Sequence, residues 1–370
     1  MMLKESNFSS QREFQLAANA ASLTALGKGI LAADESPGTI EKRFKEFNIL
    51  NEVETRRSYR ELLLTSGAEL GTYIGGVILH EETVDQTAAN GKPFVILLQE
   101  LGILSGVKLD KGPIVASWTS AFGETCVEGL ENLNQRCKQF YEKGIRFAKW
   151  RAVFKITQNT PTDLAIKTNV VQLAQYASIC QANGLVPIVE PEILMDGKHS
   201  LEICMFWQAR ILSQLISALN EHSVLLEGTL LKTNFVLPGI EFEGRVSDEE
   251  IANATISALS RTIPPAMAGI VFLSGGLSER RATSLLNAVN KTKTTKAWPL
   301  SFSFGRALQH SALEKWQGKE EGILQAQACL IHRAKMNSLA SNGTLMVGED
   351  EESSFVASSQ RGIHEANYFY

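Results

Sequence analysis

The chain has 370 residues, 44% of them hydrophobic, with 36 Lys and Arg against 40 Asp and Glu and a formal net charge of −4. That length allows a large core, built as two domains or as one α/β barrel. The mildly acidic balance gives no reason to expect nucleic acid or an anionic membrane as a partner. No apolar run reaches the length of a membrane span.

The first residues, Met-Met-Leu-Lys-Glu-Ser-Asn-Phe, lack the apolar centre of a secretory signal. Eight short apolar runs then follow in chain order: Gly29–Asp34, Ile74–His80, Gly106–Asp110, Phe147–Val153, Leu185–Glu192, Leu225–Lys232, Gly269–Gly276 and Pro299–Arg306. Each is followed by a helix-like segment, and the spacing suits parallel βαβ units. Runs such as Gly-Ile-Val-Phe-Leu-Ser fit strands covered on both faces. Between them, the periodicity predicts helices over Thr162–Asn183, Leu201–His222 and Asp248–Arg261, the last opened by Ser-Asp-Glu-Glu. Asn183-Gly184 stops the first of these. Eight units predict a closed (β/α)8 TIM barrel, with a doubly wound open sheet as the alternative. The expected domain spans residues 1–340. Residues 341–370 are polar and breaker-rich and read as a flexible tail, although they end in Tyr368-Phe369-Tyr370.

Five scattered cysteines without a Cys-x-x-Cys pair suit free thiols in a reducing cytosol, so a cytoplasmic protein is expected. Six histidines without metal-ligand spacing give no metal site, and no cofactor is expected.

Polar residues gather where the predicted strands end, the side on which barrels place their chemistry. Asp34 closes the first run, and Lys108 lies in the third. Lys149 and Arg151 share one face of the fourth, as Glu190 and Glu192 share one face of the fifth. Lys232 ends the almost wholly apolar run Leu-Leu-Glu-Gly-Thr-Leu-Leu-Lys, where a charge is costly unless paired. A neutral amine there could condense with a ketone, and a second cation facing it, such as Lys149, would favour the neutral form. Glu190 and Asp34 offer carboxyls for an acid and a base. Ser274-Gly275-Gly276 makes a turn into a helix start, whose free N–H groups suit a phosphate. Gly305-Arg306 stands one strand later and could clamp the same group. Structural ion pairs are the competing account of any one of these residues. Together they favour a site for a small anionic molecule.

Longer segments carry a family likeness. Lys28-Gly-Ile-Leu-Ala-Ala-Asp-Glu-Ser36, Gly106-Val-Lys-Leu-Asp-Lys-Gly112, Phe147-Ala-Lys-Trp-Arg151, Val186-Pro-Ile-Val-Glu-Pro-Glu-Ile-Leu194, Leu226-Glu-Gly-Thr-Leu-Leu-Lys232, Phe272-Leu-Ser-Gly-Gly276 and Ser303-Phe-Gly-Arg-Ala-Leu308 stand in order. From about residue 12 to residue 340 the chain resembles the class I (Schiff-base) fructose-1,6-bisphosphate aldolases of the eukaryotic type. The resemblance implies reversible cleavage of fructose 1,6-bisphosphate to dihydroxyacetone phosphate and glyceraldehyde 3-phosphate by a homotetramer. It casts Lys232 as the Schiff-base lysine, Asp34 as the acceptor of the C4 hydroxyl proton, Glu190 as the acid and base of carbinolamine chemistry and Lys149 as its neighbouring cation. Glu192 would orient the lysine, and Tyr370 would move the C3 proton, with Tyr368 as its alternative. Ser274, Gly275, Gly305 and Arg306, assisted by Arg43, would hold the C1 phosphate. Ser36, Lys108 and Arg151 would lie toward the C6 phosphate.

The chain departs from the family pattern at Phe304, where tyrosine is usual, and at Thr233, where proline is usual. It departs again within Ser117–Phe122. A Schiff-base barrel for another sugar phosphate, a scaffold with little turnover and a metal-dependent aldolase are the competing readings.

Overall fold

A computed structural model describes residues 2–121, 123–346 and 348–350, with side chains from residue 10 onward. Among the described residues ten strands are present: β1 (Gly29–Ala33), β2 (Ile74–Leu79), β3 (Leu104–Lys108), β4 (Pro113–Val115), β5 (Thr125–Val127), β6 (Phe147–Phe154), β7 (Val186–Ile193), β8 (Leu230–Thr233), β9 (Gly269–Phe272) and β10 (Leu300–Phe304). Eight close into a parallel barrel in the order β1-β10-β9-β8-β7-β6-β3-β2. The remaining pair, β4 and β5, forms an antiparallel hairpin. This is the expected (β/α)8 barrel.

The pleat sorts the strands into two cores. Leu31, Ala33, Val77, Leu79, Val107, Ala148, Trp150, Val189, Leu231, Phe272 and Phe304 pack with the surrounding helices. The alternate residues Ile30, Ala32, Ile78, Phe147, Val186, Ile188, Leu230 and Val271 fill the interior together with Leu16, Ala20 and Leu23. Those last three belong to the helix Met2–Leu23, which covers the N-terminal end of the barrel. Because side chains alternate with a period of two, the interior register that carries Phe147 also carries Lys149 and Arg151. In the same way Ile188 leads to Glu190 and Glu192, Leu230 to Lys232, and Ala32 to Asp34. The apolar floor and the charged mouth are successive layers of one register.

Helix starts follow the expected chemistry. The side chains of Thr162, Ser200 and Ser278 cap Asp163–Ala182, Leu201–Glu221 and Glu279–Lys291. Ser247 and Glu250 form a reciprocal capping box on Asp248–Thr262.

Several predicted boundaries need correction. The run from Leu225 begins as a turn of 3₁₀ helix, Leu226–Gly228, and only Leu230–Thr233 is strand. The Gln181 amide draws the backbone of Leu225 and Gly228 to itself, in competition with the sheet ladder. Ser274–Gly276 and Gly305-Arg306 lie past the ends of β9 and β10, so the polar motifs are loop and helix-start residues. Asp34 and His80 likewise fall just beyond β1 and β2. The third run is displaced toward its start, because β3 opens at Leu104 and ends at Lys108. It leads into the β4–β5 hairpin before its helix, Leu133–Glu142.

Of the expected tail, residues 341–346 and 348–350 are described. Leu345 is buried, and its carbonyl accepts from Asn287 and Lys291. Tyr368 and Tyr370 lie outside the described residues.

The floor depends on absent side chains. A Cβ built on Gly106 would stand 2.3 Å from the fully buried Phe147 ring, and one on Gly76 would stand 2.4 Å from Leu23. Gly106→Ala is therefore expected to destabilise the fold by about 1–3 kcal/mol through overpacking. Chemical denaturation checks this; an unchanged midpoint would mean that the floor yields.

Candidate active site

Asp34, Lys149, Glu190 and Lys232 reach one point from four strands. Lys232 Nζ stands 3.1 Å from Glu190 Oε1, while Lys149 Nζ is 3.5 Å from Glu190 Oε2 and 2.8 Å from Asp34 Oδ2. None of the four is more than 6% exposed. A buried charge survives only when it is compensated, and here carboxylates and ammonium groups alternate. Burial works to raise the Asp34 carboxyl, but the ammonium groups of Lys149 and Lys232 outweigh it and hold Asp34 well below the usual carboxylate range. Asp34 is thus a carboxylate at neutral pH.

A second ring of pairs surrounds the first. Arg151 Nε meets Glu192 Oε2 at 2.6 Å. Lys108 Nζ meets both Asp110 Oδ1 and the Asp110 carbonyl at 2.7 Å, and Asp110 Oδ2 accepts from the Arg151 backbone. Lys108 and Lys149 are register partners across β3 and β6, so each cation needs its own carboxylate. Glu35 pairs with Arg43 and with Arg60, the latter at 2.7 Å.

A cavity opens between these groups and the loops after β9 and β10. Asp34, Arg43, Arg151, Glu190, Glu192, Lys232, Ser274, Gly275, Gly305 and Arg306 all line it, so ten of the predicted residues converge. Gly275 has φ +53° and Gly276 φ +90°, the left-handed turn that glycine permits. Gly305 precedes the helix Arg306–Trp316, and a Cβ there would stand 3.2 Å from the Ala32 carbonyl. The start of the helix Arg306–Trp316 therefore meets the cavity beside the glycine turn, where an anion gains most.

Lys149 contributes through its ion pairs and stands behind the lining. Lys108 and Ser36 are also outside it: Lys108 is held by Asp110, and Ser36 caps the helix Pro37–Glu46. Tyr370 lies outside the described residues. Asp110, Glu35 and Ser303 were missed from sequence. Asp110 follows Lys108 by two residues, a spacing that pointed to the same face. Ser303 lines the cavity, and its buried hydroxyl has no hydrogen-bond partner among the described residues. Phe304 is fully buried in the outer core beside Phe302, so the hydroxyl lost there does not concern the cavity. Thr233 continues β8, with its hydroxyl accepting from Gln208.

Fold and site together define a class: a (β/α)8 barrel with a buried lysine poised among carboxylates, suited to imine chemistry on an anionic carbonyl compound. The model of the class-I fructose-bisphosphate aldolase family matches residues 15–370, and the chain belongs to that family. It is 50% identical over 359 residues to the cytosolic fructose-bisphosphate aldolase 4 of Arabidopsis thaliana, covering 97% of this chain and 90% of that protein. It is 49% identical to the cytoplasmic isozyme 2 of Pisum sativum over 365 residues, 99% and 100% of the two chains. A solved structure of the Plasmodium falciparum fructose-bisphosphate aldolase, in complex with TRAP and a small-molecule inhibitor, superposes with a TM-score of 0.89. That chain is 47% identical, over 91% of this chain and 96% of its own length.

The charge alternation predicts a pH-dependent loss. Lys149→Met leaves Asp34 and Glu190 without their shared cation and is expected to cost about 3–5 kcal/mol at pH 7. The depressed folded-state value of Asp34 gives stability that is present above its unfolded value of about 3.9 and lost as pH falls through the folded one. The gap between wild type and variant should therefore narrow below about pH 4. Denaturation at pH 7 and pH 3 measures it, and a gap that widens in acid contradicts the assignment.

Proposed function

We propose that this chain catalyses reversible aldol cleavage of fructose 1,6-bisphosphate in glycolysis and gluconeogenesis, and that Lys232 carries the reaction as a Schiff base. Family membership and relatives named as fructose-bisphosphate aldolases support the activity. The single observation behind the mechanism is Lys232 Nζ held 3.1 Å from Glu190 in a cavity rimmed by Ser274, Gly275 and Arg306. Several relatives are cytosolic or cytoplasmic by name, and this chain works in the cytoplasm.

In this reading the amine of Lys232 adds to the C2 carbonyl, and Glu190 supplies and removes the protons that carry the carbinolamine, with loss of water, to an iminium. Lys149 steadies the carboxylate of Glu190 as its proton leaves. Asp34, kept ionised, takes the C4 hydroxyl proton. The C3–C4 bond then breaks, its electron pair flows into the iminium to give an enamine, and glyceraldehyde 3-phosphate departs. Tyr370 returns a proton to C3, and water frees dihydroxyacetone phosphate from Lys232. Glu192, fixed by Arg151, shapes the wall beside the lysine.

The C1 phosphate takes the N–H groups of the glycine turn, with Arg306, Gly305 and Arg43 beside it. Arg151, Lys108 and Ser36 mark the path of the C6 phosphate. The Ser303 hydroxyl, which has no hydrogen-bond partner among the described residues, is offered a substrate hydroxyl in this reading. Assembly as a homotetramer belongs to the same proposal, and Ile203 (45% exposed) and Phe206 (56% exposed) supply apolar surface for it.

Borohydride reduction in the presence of dihydroxyacetone phosphate should fix the triose on Lys232, read by peptide mapping. Lys232→Met should lower kcat by about 10⁴-fold or more. Label on a different lysine would overturn the mechanism. Sedimentation equilibrium should give four times the 40.6 kDa chain mass; a monomer would dismiss the tetramer.

A further inference from the structure

His80 takes no part in the aldol steps, yet it stands in the charged layer of the barrel mouth. It follows β2 directly and its backbone is still extended, with φ −75° and ψ 151°. The pleat therefore continues through it, and His80 shares the interior register of Ile78, two residues earlier. Leu79 pairs with Ala33 on one side and with Val107 on the other. One residue further on, His80 falls in line between Asp34 and Lys108. Its Nδ1 accepts from the backbone N–H of Glu82 at 3.3 Å, which caps the short helix Glu81–Val84. A ring nitrogen that accepts carries no proton, so in the neutral imidazole the proton sits on Nε2. Burial, with Lys108 and Arg60 nearby, lowers the imidazole below its usual range and keeps it neutral at pH 7. Nε2 has no hydrogen-bond partner among the described residues, and the residue is partly exposed.

The strand order says what such a donor can meet. Round the closed ring, β3 is four strands from β9 by either path, and β2 is four from β8. A substrate with its C1 phosphate in the glycine turn after β9, and its C2 at Lys232 on β8, extends across the mouth toward β3 and β2. There Lys108 is already paired with Asp110 at 2.7 Å, so its charge is compensated before any ligand arrives. The Nε2–H of His80 is the neighbouring donor. We propose that His80 is a specificity-determining residue: its Nε2–H donates to the C6 phosphate and favours sugar bisphosphates over sugar monophosphates. This rests on the aldolase reading and on its placing of the C1 phosphate in the glycine turn. With Nδ1 engaged by the cap, the neutral ring gives a hydrogen bond but takes up a proton only by breaking that cap. It is therefore a binding group and no rival to Asp34 as a base. Hydrogen bonds to a charged acceptor are the stronger kind, which makes the donor worth measuring.

Two substitutions of the full chain divide the ring's two nitrogens. His80→Asn keeps an acceptor for the Glu82 N–H and loses the far donor. His80→Gln keeps an amide donor at longer reach and loses the cap. Calorimetric titration with hexitol 1,6-bisphosphate and hexitol 1-phosphate, which have no carbonyl for Lys232, gives a ratio of affinities that reads the second phosphate. His80→Asn should lower that ratio about tenfold, while His80→Gln keeps most of it. The ratio of kcat/KM for fructose 1,6-bisphosphate over fructose 1-phosphate should fall with it, through KM more than kcat. An affinity ratio unchanged in His80→Asn overturns the proposal, as does an equal fall in both variants, which would assign the effect to packing. If the wild type cleaves neither sugar phosphate, the aldolase reading fails, while the hexitol titration still decides the role of His80.

Discussion

Glu190 lies between two ammonium groups, 3.1 Å from one and 3.5 Å from the other, and the remaining chemistry depends on that arrangement. Neither lysine could sit in a barrel interior without a carboxylate, and neither carboxylate without a lysine. The compensation needs four strands at fixed heights. The barrel provides them, because β6 and β7 run in register from Phe147 and Val186 to Phe154 and Ile193. Closure of the sheet then brings β1 and β8 to the same level, so that Asp34 and Lys232 complete the set.

Packing below this layer is what keeps the heights fixed. Phe147, two residues before Lys149, fills the space left open by Gly76 and Gly106, and the N-terminal helix closes the end with Leu16, Ala20 and Leu23. A dry, rigid floor also keeps the dielectric low around the charges above, which strengthens each pair. Residues with no chemistry of their own hold those that have it.

Much of this could be read from the chain alone, because it is written in periods. Eight apolar runs implied the barrel, and spacings of two put Lys149 with Arg151 and Glu190 with Glu192. What escaped was decided by contacts distant in sequence. Gln181 shortens β8 from forty-four residues away. The partnership of Glu35 with Arg60 spans twenty-five residues and follows no periodicity. Phe304 could be judged only once its face was known: it points into the helix layer, while its neighbour Ser303 points into the cavity. The β4–β5 hairpin was hidden because its strands are three residues long and half exposed on one side.

The pairing of charge across neighbouring strands also limits how such a site can drift over generations. Exchange of any one member for a neutral residue strands its counterpart in the interior, so a single step falls into a deep fitness valley. Concerted double replacements, a cation and its carboxylate together, offer a shallower route. A catalytic layer built this way is therefore historically conservative, and novelty in substrate choice should arise at rim positions outside this alternating layer.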